Sequence, residues 1–183
     1  SVSLPIGGES VTNDIAIGLR TSIDTAEKIK IEFGSVLPQE IAEREMIDLS
    51  SVSKVDTQTV SKRYMAEIMQ ARYFEMFSLV KKELERIGRS GMLPAGALLT
   101  GAAAKAPGVL DLARDVLGLP VQMGFPVDIG GVIEKVDDPA YATALGTLIW
   151  GMREGESGSS LAGSVHIKRA AQRVGSWFKS LLP

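Results

Sequence analysis

A turn of small residues is the first stretch with the means to bind a ligand. Its sequence is Leu-Thr-Gly-Ala-Ala-Ala-Lys-Ala-Pro-Gly from Leu99 to Gly108, and it connects an apolar run to a predicted helix. Small side chains let the backbone approach a flat or charged ligand, and a helix N-terminus offers free N–H groups. The turn is neither a P-loop nor a GxGxxG fingerprint. Close packing of a strand against a helix explains its composition equally well.

A pair of opposite charges is the second candidate. Glu27 and Lys30 lie three residues apart in a predicted helix, so their side chains share one face. A glutamate in this position can accept a hydrogen bond from a ribose hydroxyl, and the lysine can pack on a base or bind a phosphate. A solvated ion pair on the helix surface is the ordinary alternative.

The C-terminal segment is strongly amphipathic. At about 100° per residue, its apolar side chains fall within an arc of about 140°: Ile167, Ala170, Ala171, Val174, Trp177, Phe178, Leu181 and Leu182. All its ionisable residues are basic: Lys168, Arg169, Arg173 and Lys179. This pattern is typical of a helix lying in the interface of an anionic membrane. Packing on the protein's own domain is the alternative, although the Gly- and Ser-rich stretch before the segment favours the membrane.

The composition excludes several classes of function. The chain has 183 residues, with 20 Lys and Arg against 22 Asp and Glu, whereas a general nucleic-acid binder is usually basic. It has no cysteine and one histidine, His166, which excludes a thiolate or histidine metal cluster and a cysteine nucleophile. No run of about 18 apolar residues is present, so we expect no transmembrane helix.

The N-terminal half has mainly helical periodicity. We predict a strand at Val2–Ile6, ended by Gly7 and Gly8, and then one or two helices over Val11–Phe33 with a break near Thr21 and Ser22. Residues 35–58 suggest loops with one short strand. An apolar stripe predicts a long helix over Thr59–Arg89.

The second half has a β-α-β pattern. We predict a strand within Leu93–Thr100, a helix over Pro107–Leu117 and a strand at Val121–Gly124, an order that favours an α/β fold. Asp138 and Pro139 then begin a helix that runs from Ala140 to Trp150. Residues 151–164 are rich in Gly, Ser and Glu and are predicted to form a flexible linker.

Together these stretches resemble the FtsA family, the actin-like ATPases of bacterial cell division. The similarity covers nearly the whole chain, and the order and spacing of its motifs are more specific than any one motif. The matching stretches are residues 7–16, 26–30, 99–103, 138–146 and 174–179.

The resemblance implies an actin/chaperone-type ATPase fold, of which this chain would be the second lobe only. Residues 1–34 and 70–150 would form the nucleotide-lobe subdomain, and residues 35–69 a small inserted α/β subdomain. Residues 151–164 would link these to a detached amphipathic helix over residues 165–183. Both phosphate loops would precede Ser1, so we expect no hydrolysis of ATP by this chain alone. It would supply half of an ATP site, with Mg²⁺ only when the first lobe is present.

The resemblance also implies site residues, none of them catalytic. The adenosine would face Glu27, Lys30, Gly34, Gly101, Ala102, Ala103 and Lys105. Ala102 departs from the family, which usually has a second glycine there. The C-terminal tail of the tubulin-like FtsZ would bind near Arg63, Met69, Arg72 and Glu75. Judged from the residues alone, the two arginines can equally be solvated surface charges.

The expected function is that of a cell-division adaptor. It would tether the FtsZ ring to the inner face of the cytoplasmic membrane, as a peripheral protein at the division site, through the tail residues described above. It would bind ATP and polymerise with itself in an actin-like way. The alternatives are a kinase-type enzyme or a pilus-assembly relative of the same superfamily, neither of which has reason to carry the basic amphipathic tail.

Overall fold

The computed structural model describes residues 1–127 and 137–157. The chain divides into two compact units, Ser1–Ala142 and Thr143–Pro183. Among its described residues, the first unit contains four complete α-helices, four short 3₁₀ helices and four short strands. The second is described only as far as Ser157.

Two helices open the first unit, α1 over Gly8–Leu19 and α2 over Ile23–Phe33. The predicted break between them is confirmed: Arg20 is left-handed (φ 53°), and the Ser22 hydroxyl accepts a hydrogen bond from the Thr25 N–H at 3.2 Å. The strand predicted at Val2–Ile6 is wrong. Residues 2–6 pair with none of the described strands, and the chain passes from Gly7 directly into α1.

Asp56 ties a surface loop to the start of α2. Its Oδ2 accepts hydrogen bonds from the Thr25 hydroxyl at 2.6 Å and the Ser22 hydroxyl at 3.1 Å. The Thr25 bond, followed by further hydroxyl and backbone bonds, lowers the pKa of Asp56 to about 2. The carboxylate is therefore ionised at neutral pH.

A short antiparallel pair precedes the longest helix. Strand β1 (Met46–Asp48) pairs with β2 (Thr59–Ser61), and α3 follows over Lys62–Arg86. The short strand predicted before residue 58 is confirmed, but the predicted helix starts three residues too early. β-Branched Thr59 and Val60 favour the strand, and the Ser61 side chain caps α3 by accepting from the Tyr64 N–H at 3.2 Å.

The predicted β-α-β unit is confirmed. Strand β3 (Ala97–Leu99) lies parallel to β4 (Val121–Met123), and α4 (Val109–Leu117) connects them. The small-residue turn leads from β3 into a short 3₁₀ helix over Ala102–Lys105. Gly108 then enters α4 with φ +84°, and a Cβ there would lie 2.3 Å from Leu37 Cγ. Only glycine fits this approach of the two segments.

One core joins all these elements. Its buried side chains come from α1, α2, α3, α4 and β4 and from the 35–61 stretch, and they include Val11, Ile15, Ile29, Val36, Leu49, Val60, Met65, Met69, Val109 and Val121. The boundary predicted between Met69 and Gln70 falls inside α3, which continues across it. The structure likewise does not separate residues 35–69 from the rest of the first unit.

A 3₁₀ turn over Pro139–Tyr141 leads into the last described helix, α5, over Ala142–Ser157. Asp138 caps this turn, as its Oδ1 accepts from the Ala140 N–H at 2.8 Å. The linker predicted from residue 151 therefore begins too early. Good helix formers such as Met152 and Arg153 offset the cost of Gly151 and extend the helix. Residues 143–150, predicted as part of the nucleotide lobe, belong to the second unit.

Candidate functional site

A cavity of about 860 Å³ opens in the first unit where α1, α2, α3 and the small-residue turn meet. Nearly all residues that the resemblance assigns to the adenosine line it: Glu27, Lys30, Gly34, Ala102, Ala103 and Lys105. Gly101 does not line it, but with φ +96° it turns the chain into the 3₁₀ helix that does. The fold thus brings together two stretches that are far apart in the sequence.

The Lys30 ammonium organises the wall formed by α1 and α2. Its Nζ donates to Glu27 Oε2 at 2.6 Å, to Thr12 Oγ1 at 2.7 Å and to the Gly8 carbonyl at 3.2 Å. The Thr12 hydroxyl in turn donates to the Glu27 carboxylate. Lys30 and Glu27 are therefore held in place before any ligand enters. The alternative of an isolated, solvated ion pair on the helix surface does not describe this arrangement.

The charges of this wall favour an ionised Glu27. Burial acts to raise the pKa of Glu27, but the hydrogen bonds from Lys30 and Thr12 and the charge of Lys30 outweigh it and lower that pKa. Glu27 is thus a hydrogen-bond acceptor at neutral pH. Among the described lining residues, three carboxylates face two ammonium groups, so the cavity is not a basic pocket.

The small-residue turn forms the opposite wall and is fixed at its two ends. The Gly101 N–H donates to the Pro139 carbonyl at 3.0 Å, and Lys105 Nζ donates to Asp138 Oδ2 at 2.6 Å. The hydrogen bond from Lys105 lowers the pKa of Asp138. The charge of Lys105 is therefore already balanced. Ala102, which stands where the family usually has glycine, is exposed at the cavity.

The floor of the cavity comes from α3. The Tyr73 hydroxyl donates to the Ala103 carbonyl at 2.7 Å, and the residue is only 4% exposed. Burial, together with the charge of Glu27, raises the pKa of Tyr73 to about 12, so the hydroxyl keeps its proton. Gly34 lies beside it, and a Cβ there would lie 2.1 Å from the Lys30 carbonyl oxygen and 2.9 Å from Met69 Cε.

Sequence reasoning missed three residues of the site. Thr12 lies within the predicted helix over Val11–Phe33, Tyr73 within the predicted apolar helix over Thr59–Arg89, and Gly8 within the predicted turn, but none of them was assigned to the site. Gly8 starts α1 so close to the opposite wall that an added Cβ would lie 3.4 Å from Ala103 Cβ. The four-residue spacing of Gly8 and Thr12, which places both on one face of a helix, was the available signal for this wall.

Two of the predicted partner-binding residues lie together on α3. Arg72 donates from Nε and Nη2 to the two carboxylate oxygens of Asp14 on α1, at 2.5 and 2.7 Å. Its Nη1 donates to Glu75 at 2.5 Å. The hydrogen bonds to Asp14, outweighing partial burial, raise the pKa of Arg72. Arg72 is thus a clamp between two helices, as well as a surface residue.

The other two lie elsewhere. Met69 is fully buried in the core, so its assignment to a partner-binding surface is wrong; it occupies the same face of α3 as Met65 and Tyr73. Arg63 precedes Arg72 by nine residues, which places it about 180° around the helix. There it forms ion pairs with Glu43 at 3.2 Å and Glu67 at 3.6 Å.

The predicted membrane segment, residues 165–183, lies outside the described residues. Within the described ranges, none of the helices is both long enough and apolar enough to span a bilayer. The same ranges hold no group of three or more His, Cys, Asp or Glu side chains arranged to bind a metal ion.

Comparison of the sequence with known protein families shows to which family the chain belongs. Residues 1–146 match the family model described as cell division protein FtsA. The chain belongs to the FtsA family. Its mixed helices and strands agree with the actin-like α/β fold that the resemblance implied.

Individual FtsA proteins match over most of the chain. The cell division protein FtsA of Pseudomonas aeruginosa is 37% identical over 159 residues, covering 87% of this chain and 38% of that protein. FtsA of Bacillus subtilis is 38% identical, over 82% of this chain and 33% of that protein. FtsA of Escherichia coli K12 is 33% identical, over 97% of this chain and 43% of that protein. The chain thus spans about two fifths of the length of these curated relatives.

Proposed function

We propose that the cavity between α1, α2, α3 and the small-residue turn binds the adenosine part of ATP, in a cell-division adaptor of the FtsA type. The observation that carries this proposal is the position of the two candidate stretches. Glu27 and Lys30 on one side and Ala102 to Lys105 on the other line a single cavity, although each stretch alone had an ordinary explanation.

The contacts suggest a role for each wall. The ionised Glu27 accepts a hydrogen bond from a ribose hydroxyl, and Lys30 keeps that carboxylate in place. The turn offers small side chains against which a flat base can lie, with the exposed Ala102 methyl beside it.

The described lining of this cavity offers no unpaired cation to the phosphates of ATP. Both lysines of the lining already pair with carboxylates, Lys30 with Glu27 and Lys105 with Asp138. Anion contacts, and Mg²⁺ with them, would then come from residues other than the described lining of this cavity. We therefore expect binding of the nucleoside and no hydrolysis of ATP by the chain alone.

The experiment is a titration of the 183-residue chain with adenosine and with guanosine, followed by calorimetry. Glu27→Gln should weaken adenosine binding about tenfold, because a charged acceptor becomes a neutral one that no longer holds Lys30. Glu32→Gln is the matched control: Glu32 is an exposed residue of the same helix that does not line the cavity. Equal binding by both variants would contradict the assignment.

We propose further that α3 presents Arg72 and Glu75 to the C-terminal tail of FtsZ. The residues are surface-accessible, with side-chain exposures of 26% and 54%. A carboxylate of the partner would compete with Asp14 for Arg72. Arg72→Ala should weaken binding of an FtsZ tail peptide about tenfold in fluorescence anisotropy. Arg86→Ala, at an exposed arginine of the same helix, should leave binding unchanged.

The amphipathic tail, by this proposal, anchors the protein and its actin-like polymer to the inner face of the cytoplasmic membrane. Its charge pattern, with Lys168, Arg169, Arg173 and Lys179 opposite Trp177 and Phe178, supports the anchor. Membership of the FtsA family favours this adaptor over the kinase-type and pilus-assembly alternatives.

A further inference from the structure

Tyr73 packs in the core but also makes a hydrogen bond to the small-residue turn. Its ring packs in the core beside Phe77, with ring centroids 6.3 Å apart, while its hydroxyl donates to the Ala103 carbonyl at 2.7 Å. We propose that Tyr73 is a positioning residue: its hydroxyl fixes the small-residue turn at the distance from Glu27 and Lys30 that the nucleoside requires. This inference rests on the proposed adenosine function of the cavity.

The turn needs such a support because it is short. The 3₁₀ helix over Ala102–Lys105 has four residues, and the carbonyl groups in the last turn of a helix have no partner within it. The contacts of Gly101 and Lys105 both lead to the segment at Asp138 and Pro139. The Tyr73 hydrogen bond instead attaches the turn to α3, a 25-residue helix that is anchored in the core.

The position of Ala103 also sets the width of the cavity. Ala103 lies against Gly8, where an added Cβ would be 3.4 Å from Ala103 Cβ and 3.9 Å from Lys30 Nζ. A ligand that contacts both walls therefore depends on where Ala103 is held. When the hydroxyl is removed, the partly buried Ala103 carbonyl loses its donor, and the turn must move toward water to recover one.

Tyr73→Phe separates this role from packing, because it keeps the ring and removes only the hydroxyl. Tyr64→Phe is the matched control, since Tyr64 is a half-exposed tyrosine of the same helix that does not line the cavity. Replacement of Tyr73 by 4-aminophenylalanine restores an N–H donor at the same place. Adenosine binding is measured by calorimetry, and backbone amide exchange is measured by NMR on the free protein.

We expect Tyr73→Phe to bind adenosine about fivefold more weakly than the unsubstituted chain, the size of one net hydrogen bond. Exchange should accelerate at the Ala104 amide, which donates to the Gly101 carbonyl at 3.1 Å, and remain slow in α1 and α4. The 4-aminophenylalanine variant should recover most of the affinity, and Tyr64→Phe should change neither measurement.

Two results overturn the inference. Unchanged adenosine affinity in Tyr73→Phe would show that the hydroxyl does not position the turn for the ligand. Faster exchange throughout the core, with no recovery by 4-aminophenylalanine, would show a purely structural role; the latter variant decides the matter even when the Phe variant fails to fold. Absence of adenosine binding by the unsubstituted chain is a different failure, because it would overturn the proposed function as well.

Discussion

Gly108, which connects the small-residue turn to α4, allows a quantitative test of the packing of this junction against Leu37. Gly108 and Gly118 flank this helix, and both are left-handed, with φ +84° and +66°. They differ in their surroundings. A Cβ on Gly108 would lie 2.3 Å from Leu37 Cγ, whereas a Cβ on Gly118 would meet no atom within 4 Å. The pair therefore separates backbone strain from steric overlap.

The expected losses in the free energy of unfolding follow from backbone strain and steric overlap. The left-handed conformation costs an alanine about 1 kcal/mol relative to glycine at either position. Overlap with Leu37 adds about 2 kcal/mol at Gly108, the usual cost of overpacking a site that cannot move freely. Leu37 has little freedom, because the neighbouring Val36 N–H donates to the Pro107 carbonyl at 3.0 Å. Gly108→Ala should thus cost about 3 kcal/mol in total and Gly118→Ala about 1 kcal/mol.

The assay is urea unfolding followed by circular dichroism, with both variants compared with the unsubstituted chain at equal m-value. The free energy of unfolding should fall by about 2 kcal/mol more for Gly108→Ala than for Gly118→Ala. Equal losses in the free energy of unfolding would show that Leu37 moves aside without an energetic cost. The claim that only glycine fits at residue 108 would then be refuted.

Three further predictions concern charges and the tail. Asp14→Asn removes the charge that Arg72 clamps, so the free energy of unfolding in urea should fall by about 1–2 kcal/mol, while release of Arg72 strengthens FtsZ tail binding; weaker binding would contradict the competition. The pKa of Asp56 in the folded chain, about 2, lies below its unfolded value of about 3.9, so its contribution to stability is present above pH 4 and disappears as the pH falls toward 2. The urea midpoint should therefore fall more steeply from pH 5 to 2.5 in the unsubstituted chain than in Asp56→Asn, and parallel curves would refute this. A chain ending at Ala162 should no longer co-sediment with anionic liposomes that the full chain binds in low salt; retained binding would refute the anchor.

Local signals predicted much of the fold. Ser22 marks the start of α2 by its capping side chain, and the β-α-β unit follows from apolar runs separated by a helical repeat. Strand β2 escaped prediction because Thr59–Ser61 becomes a strand by pairing with β1, a non-local contact that periodicity does not contain. The early start of the predicted linker has a similar cause, since composition alone does not reveal where α5 ends.

The site was predictable in its outline but not in its contacts. Glu27, Lys30 and the turn were recognised by residue type and spacing, and the structure places them around one cavity. Tyr73 was hidden in an apolar stripe, because the partner of its hydroxyl is 30 residues further along the chain. Met69 was misassigned because closeness to Arg72 in the sequence does not determine which side of a helix a residue faces, and Met69 faces the core.

The most direct test of the adenosine assignment is an NMR titration of the ¹⁵N-labelled chain with adenosine. The account predicts that amides of both walls, those near Glu27 and Gly34 and those of Ala102 to Lys105, shift together along one saturable curve. Guanosine should produce much smaller shifts. Shifts confined to one wall, or located away from the cavity, would contradict the claim that these two stretches form a single nucleoside site.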